Sequence, residues 1–343
     1  MSLRQKIRSY GYFESFYFAA LCSLIVGISL YFPYMQILPF VICPLIYALI
    51  CIWRSKRAMF MMALLNYVLL IFFTQSINIA NVCMISYAFV GIVLGSVLRH
   101  RFNYKITFIF VSFAYLLSGM FFIAYMNGLL EQNYIQITLI DPLNANFKQI
   151  EKILLDNIEM LINMKALDSG DISPDTLKKQ ISEFKELIIL HIPGFMVASS
   201  ALLGYLIVSL TGYLMQKIGY NYKYLTSFDR LKLPKGSIYT LFFIMISPIF
   251  ISDVLVLAIF SNIEFALTAV SVVCGLSFVD FHLKRRSIHV VIRILLYIFI
   301  FGFGSIVFGM FIPMLHPANV LFLIGAMDAL YDFRKLTSRE WLV

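Results

Sequence analysis

The stretch ITFIFVSFAYLLSGMFFIAYMNG, Ile106–Gly128, decides the fold. It contains no charged side chain and is long enough, at ~1.5 Å per helical residue, to cross the ~30 Å hydrocarbon layer of a bilayer. A surface helix of a soluble protein would show a polar face, and this segment has none. Four runs of the same kind precede it, at about 14–31, 36–53, 58–74 and 78–98, and five follow, at about 187–215, 238–260, 263–282, 288–312 and 317–333. The runs are continuous. A transmembrane barrel would instead alternate over strands of about ten residues, and inside a bilayer only a helix satisfies its own backbone along a continuous run. The expected fold is all-α, a polytopic transmembrane helical bundle of about ten spans.

Composition agrees. Of 343 residues, 61% are hydrophobic and 13% charged, with 33 Phe and 20 Tyr and a mean hydropathy of +0.87. These values exclude a water-soluble enzyme, a disordered chain and a nucleic-acid binder. Cys22, Cys43, Cys51, Cys83 and Cys274 all fall inside expected spans and show no CxxC spacing. They read as small apolar residues, so neither a disulfide framework nor a metal site is expected.

The net charge of +9 is explained by position. Basic groups stand at 4–8, 54–57, 99–105, 217–235, 284–286 and 334–339. With ten spans they share one side, which the positive-inside rule makes the cytoplasm, with both termini there. The basic tail and first span resemble a signal peptide, but no small-x-small cleavage site precedes Pro33, so an uncleaved anchor is expected.

The chain divides into a transmembrane half at 1–129, an insert at 130–186, and a second transmembrane half at 187–343. The insert holds ten of the 18 acidic residues and falls on the extracytoplasmic side of this topology. Phe147, Ile150, Leu154, Ile158 and Leu161 recur at helical spacing. After a break at 168–172, Ser173-Pro174 reads as N-cap and first residue of a second helix, continued by Leu177, Ile181 and Phe184. The result is an extracytoplasmic helical hairpin. It either packs only on itself, caps the outer mouth of the bundle or docks a partner; its net acidity argues against a membrane-surface role.

Ionisable groups and prolines inside spans mark two candidate sites. His191 and Pro193 near the start of the sixth span, with Pro248 and Asp253 in the seventh, form a candidate solute pocket if the two helices are antiparallel. The other reading sends His191 to the interface and Asp253 to a neighbouring hydroxyl. Asp280, Arg293 and Asp328 form a candidate intramembrane charge cluster, read as a structural lock or as a proton relay. Asp328 and Asp332 share a helical face beside Arg334 and Lys335, which favours ion pairing over a bound cation. Gly91/Gly95, Ser200/Gly204 and Ser305/Gly309 have the four-residue spacing that lets helices approach.

No P-loop, H-E-x-x-H or G-x-S-x-G motif is present. No catalytic residue or cofactor is expected, and energy for any transport would come from a separate partner.

Four stretches carry a family resemblance: Tyr31-Phe-Pro-Tyr-Met-Gln-Ile-Leu-Pro39, the pair Gly91 and Gly95 leading to Arg99 and Arg101, Phe228-Asp-Arg-Leu-Lys-Leu-Pro234, and Gly325-Ala-Met-Asp-Ala-Leu-Tyr-Asp-Phe-Arg-Lys335. They resemble the YybS-like family of bacterial membrane proteins. That family's first half is similar in pattern to the substrate-binding subunits of energy-coupling-factor vitamin transporters, which bind a small molecule and rely on separate ATPases. This chain differs from those subunits in its span number, its hairpin, and Ser23 four residues after Ala19 in place of a second alanine. The resemblance implies a bacterial inner-membrane protein that binds or transports a small solute with an ATPase or coupling subunit. The alternative is a scaffold or assembly factor that docks an envelope protein through the 130–186 hairpin.

Overall fold

The structure, a computed structural model, describes residues 11–35, 37–100, 102–131, 133–163, 174–217, 228–300 and 316–335. All regular structure among them is helical. In chain order the helices are α1 (Gly11–Tyr31), α2 (Ile37–Trp53), α3 (Lys56–Thr74), α4 (Ile77–Arg99), α5 (Tyr104–Leu130), α6 (Asp141–Asn163), α7 (Pro174–Leu190), α8 (Ile192–Lys217), α9 (Lys235–Ile246), α10 (Val254–Arg285), α11 (Val290–Phe299) and α12 (Pro317–Tyr331). Among the described residues, α1, α3, α4, α5, α8 and α10 are long and apolar enough to cross a membrane, while α2, α9, α11 and α12 are shorter apolar helices.

Short polar residues start three of the first five helices. Ser55, Ser76 and Asn103 cap α3, α4 and α5 by accepting from Ala58, Ile79 and Ile106 N–H groups at 3.1, 3.4 and 2.9 Å, satisfying donors that a helix start leaves orphaned. Gln75 and Glu131 end α3 and α5 in the left-handed conformation. The chain therefore runs up and down. At one end Arg54 pairs with Glu14, its Nε donating at 2.6 Å, Arg99 donates to the Cys51 carbonyl at 2.8 Å, and Lys56 Nζ lies 3.0 Å from His100 Nε2.

Inside this half α2 and α4 come into close contact. A Cβ on Gly91 would stand 2.5 Å from Tyr47 Cβ, and one on Gly95 2.7 Å from Cys51 Cβ, which is the approach that the glycine spacing implies. A buried polar chain crosses the same core: Ser23 donates to Asn66 Oδ1 at 2.7 Å and Asn66 Nδ2 to Tyr47 Oη at 2.8 Å. All five cysteines are buried and free.

In the second half α10 crosses α12 at two glycines. A Cβ on Gly275 would overlap the Leu321 backbone, and one on Gly325 the Ser271 carbonyl. The Ser305/Gly309 pair and residues 301–312 of the run at 288–312 lie outside the described residues.

Two span boundaries differ from expectation. The runs at 238–260 and 263–282 do not meet at a turn near 261. The helix breaks earlier, at Ser247–Ile249, where Pro248 supplies no N–H and Ser247 Oγ bonds back to the Ile244 carbonyl at 2.7 Å. From Val254 one helix of 32 residues then runs to Arg285. Ser261-Asn262, polar enough to read as a loop, are helical contacts to α7 and α8. The run at 187–215 is likewise broken at His191, between α7 and α8.

Helices α6 and α7 pack on each other, with the Phe147 and Phe184 rings 6.0 Å apart. Pro174 is the first residue of α7. The break at 168–172, Ser173 and the side chains of Ile150, Ile158, Leu161 and Leu177 lie outside the described residues; Leu154 is exposed.

Candidate functional site

A cavity of about 550 Å³ opens among α1, α2, α4, α5 and α8. Its walls come from the end of α1 (Val26, Leu30), the start of α2 (Pro39, Phe40), the first half of α4 and of α8, and α5 from its middle onward (Tyr115, Phe122). It thus sits in the half of the bundle away from Arg54, Lys56 and Arg99. Among the described residues, no Asp, Glu, Lys, Arg or His lines it. Polar groups are confined to Ser29, Asn78, Ser86, Tyr87, Tyr115, Ser118, Ser199 and Ser200.

The α4 wall is shaped by a π turn, Met84–Ala88. Such a turn adds a residue to the helix and displaces backbone groups from their usual partners, a device common at functional sites. Here Ser118 of α5 reaches across, its hydroxyl 2.7 Å from the Ile85 carbonyl and 3.1 Å from that of Ser86. Tyr115 donates to the Phe40 carbonyl at 2.5 Å, pinning α5 to the start of α2. Ser29 donates to Val26 O at 2.7 Å, and Ser200 to Met196 O at 2.7 Å. At the rim, Tyr125 donates to Asn78 Oδ1 at 2.9 Å. Tyr134, in the turn leading toward α6, packs its ring against Phe122 at 5.3 Å.

The residues expected to form a pocket are not all brought together. His191 stands at the α7–α8 junction, with Nδ1 2.6 Å from Leu187 O, Nε2 2.8 Å from Ser261 Oγ and its ring 5.2 Å from Phe265. Pro193 is exposed in the first turn of α8, and Pro248 is exposed at the α9 break. Asp253 is exposed too: its carboxylate caps α10, accepting from Leu255 and Val256 N–H at 2.9 and 3.0 Å. The group that meets the start of α8 is Asn262, two turns further along α10, which accepts from Gly194 N at 2.7 Å and donates to Leu190 O at 2.9 Å. The inward-facing pocket expected of Asp253 is replaced by a helix cap because the helix break falls just before it.

The charge cluster also divides. Asp280 accepts from Arg293 Nη1 at 2.5 Å and from the Tyr297 hydroxyl. Asp328 is not in that group; it takes Arg334, with Nη2 at 2.7 Å and Nε at 3.0 Å from Oδ2. Arg334 also donates to the Asp229 and Leu231 carbonyls, both at 2.7 Å, and to Ser277 Oγ at 2.9 Å. Lys232 pairs with Asp332 at 2.6 Å and Lys284 with Asp229 at 3.0 Å. Residues 228–234 are therefore strapped by ion pairs and carbonyl contacts onto α10 and the end of α12.

Residues 20–316 match the family described as "Predicted membrane protein (DUF2232)". The chain belongs to this family. Neither the curated proteins nor the solved structures give a match. The DUF2232 match takes in every residue that lines the cavity, together with Asp280 and Arg293, and stops short of Asp328 and Arg334. Read by hydropathy alone, the cavity leaves little trace in this sequence. A wall residue such as Val82 or Phe122 is as apolar as one facing lipid. The paired hydroxyls Ser199-Ser200 on α8 and Ser118 opposite them on α5 are the one available signal.

Proposed function

We propose that the protein binds a small solute in the cavity between α1, α2, α4, α5 and α8, and that it moves this solute only with a separate energising partner. The cavity itself carries the reading: about 550 Å³ falls within the ~300–1,000 Å³ usual for ligand sites. The π turn on its wall supports the same view. The absence of a P-loop from the sequence motivates the partner, an ATPase or coupling subunit. The likeness of the sequence to the YybS-like family and to energy-coupling-factor binding subunits supports it as well. On this reading the chain lies in the bacterial cytoplasmic membrane with both termini inside, the cavity opens outward, and the 130–186 hairpin is extracytoplasmic.

The test uses the full chain in detergent, with thermal unfolding followed across vitamin, lipid and ion panels. A ligand that raises the midpoint in the native protein and not in Gly119→Leu is expected. Gly119 lines the cavity, and a Cβ there meets only Met196 Cε at 3.5 Å, so a leucine fills ligand space. No shift with any panel member would remove the basis of the proposal.

A second reading, a scaffold docking an envelope protein through the hairpin, is favoured by the pairing of α6 and α7 through Phe147 and Phe184. Deleting residues 140–180 and identifying co-purified proteins by mass spectrometry separates the two. Loss of a partner with membrane insertion intact favours the scaffold.

A further inference from the structure

The cavity wall carries two deeply placed hydroxyls with no hydrogen bond among the described residues, those of Ser86 and Tyr87. Ser86 lies in the π turn and is only 4% exposed. Its carbonyl accepts from Ser118, whereas its own Oγ has no hydrogen bond among the described residues. The hydroxyls of Ser29, Ser118, Ser199 and Ser200 all donate to backbone carbonyls. The Tyr87 hydroxyl also lacks a partner but is itself wholly enclosed, which leaves Ser86 as the group placed to donate to and accept from a ligand.

The rest of the lining selects against charge. Enclosing a carboxylate, phosphate or ammonium without a counter-ion is strongly unfavourable, and among the described residues no Asp, Glu, Lys, Arg or His faces the cavity. Hydrocarbon, by contrast, gains from every apolar contact that Val82, Phe122, Met126 and Leu203 offer.

We infer that the ligand is a neutral, mainly hydrocarbon molecule with a single hydroxyl end, seated with that hydroxyl on Ser86. This inference rests on the cavity being the binding site. Nothing in the lining suits a polyanion or a zwitterion.

The test measures saturable binding of radiolabelled alcohols to the full chain in nanodiscs: octanol supplied from water, and geranylgeraniol supplied from phosphatidylcholine vesicles. Geranylgeranyl phosphate serves as the charged counterpart. Saturable binding of octanol points to an aqueous source, and of geranylgeraniol alone to a membrane source; either supports the chemistry. The phosphate should bind at least tenfold more weakly, and Ser86→Ala should weaken alcohol binding about three- to tenfold, the effect of one hydrogen bond. Equal binding of alcohol and phosphate, or alcohol binding unchanged in Ser86→Ala, overturns the inference while leaving the cavity proposal standing. Alcohol binding that survives Gly119→Leu sinks the cavity proposal itself. Gly119→Ala, whose methyl meets only Met196 Cε at an ordinary 3.5 Å contact, checks that loss in the leucine variant is occlusion and not misfolding.

Discussion

Arg334 and Asp328 form an ion pair 2.7 Å apart whose side chains are 0% and 1% exposed. The arginine is held by five contacts, to Asp328 Oδ2 twice, to two carbonyls and to Ser277. One carboxylate oxygen, Asp328 Oδ1, has no partner among the described residues. Such a pair stabilises little compared with apolar replacements, yet removing one member strands the other as a buried charge.

A double-mutant cycle should therefore be strongly non-additive. Asp328→Leu or Arg334→Met alone is expected to cost about 3–5 kcal/mol, seen as a large drop in the thermal midpoint in detergent. The double variant should recover much of that loss. Additive losses would show that the two side chains act independently.

The close approach of α2 and α4 makes a second prediction. Gly91→Ala places a methyl 2.5 Å from Tyr47 Cβ and 2.9 Å from Pro44 Cα. Both neighbours are tied to the backbone, so the helices themselves must separate, at about 1–3 kcal/mol. Gly27→Ala, where a Cβ meets nothing within 4 Å, should be neutral or slightly stabilising, since alanine favours helix by up to ~1 kcal/mol. Comparing the two thermal midpoints isolates packing from propensity; equal effects would contradict the packing account.

Chemical labelling can test where the chain turns between α9 and α10. The five native cysteines are buried, which gives a low background. In the proposed orientation, Asp253→Cys, at the exposed cap of α10, should react with an impermeant maleimide from the side opposite Lys235→Cys and Arg286→Cys. Asn262→Cys, within the helix and against α8, should react at least tenfold more slowly. Rapid labelling at 262 with protection at 253 would restore the turn near 261.

The first five helices were legible in sequence because each end carries its own chemistry: Pro33, the Ser55 cap, Gln75-Ser76 and Asn103. The α9–α10 boundary was not, because Ser261-Asn262 looks the same whether its polar groups meet water or, as here, His191 and the start of α8. The ion pairs were half legible. Asp280 with Arg293 follows from neighbouring spans, but the Arg334 site needs carbonyls from residues 229 and 231, far away in the chain. Only the fold of residues 228–234 across α10 brings those acceptors to the arginine. The cavity was least legible, since helices that face lipid and helices that face an apolar void obey the same composition.

Asn262 provides the last prediction. Its Oδ1 accepts from Gly194 N, an N–H in the first turn of α8 with no intrahelical acceptor of its own, and its Nδ2 donates to the Leu190 and Ala258 carbonyls at 2.9 and 2.8 Å. One amide thus fastens α10 to the end of α7 and the start of α8, just before Met196 enters the cavity wall. Asn262→Ala should leave the Gly194 N–H unsatisfied, costing about 1–3 kcal/mol locally. Hydrogen exchange should accelerate across residues 188–197, while α1 to α4, which share no contact with Asn262, keep their protection. Exchange that rose evenly along the chain would mean that the amide supports the whole fold, and exchange unchanged at 188–197 would mean that the α7–α8 junction is held by other contacts, such as that of His191 with Ser261.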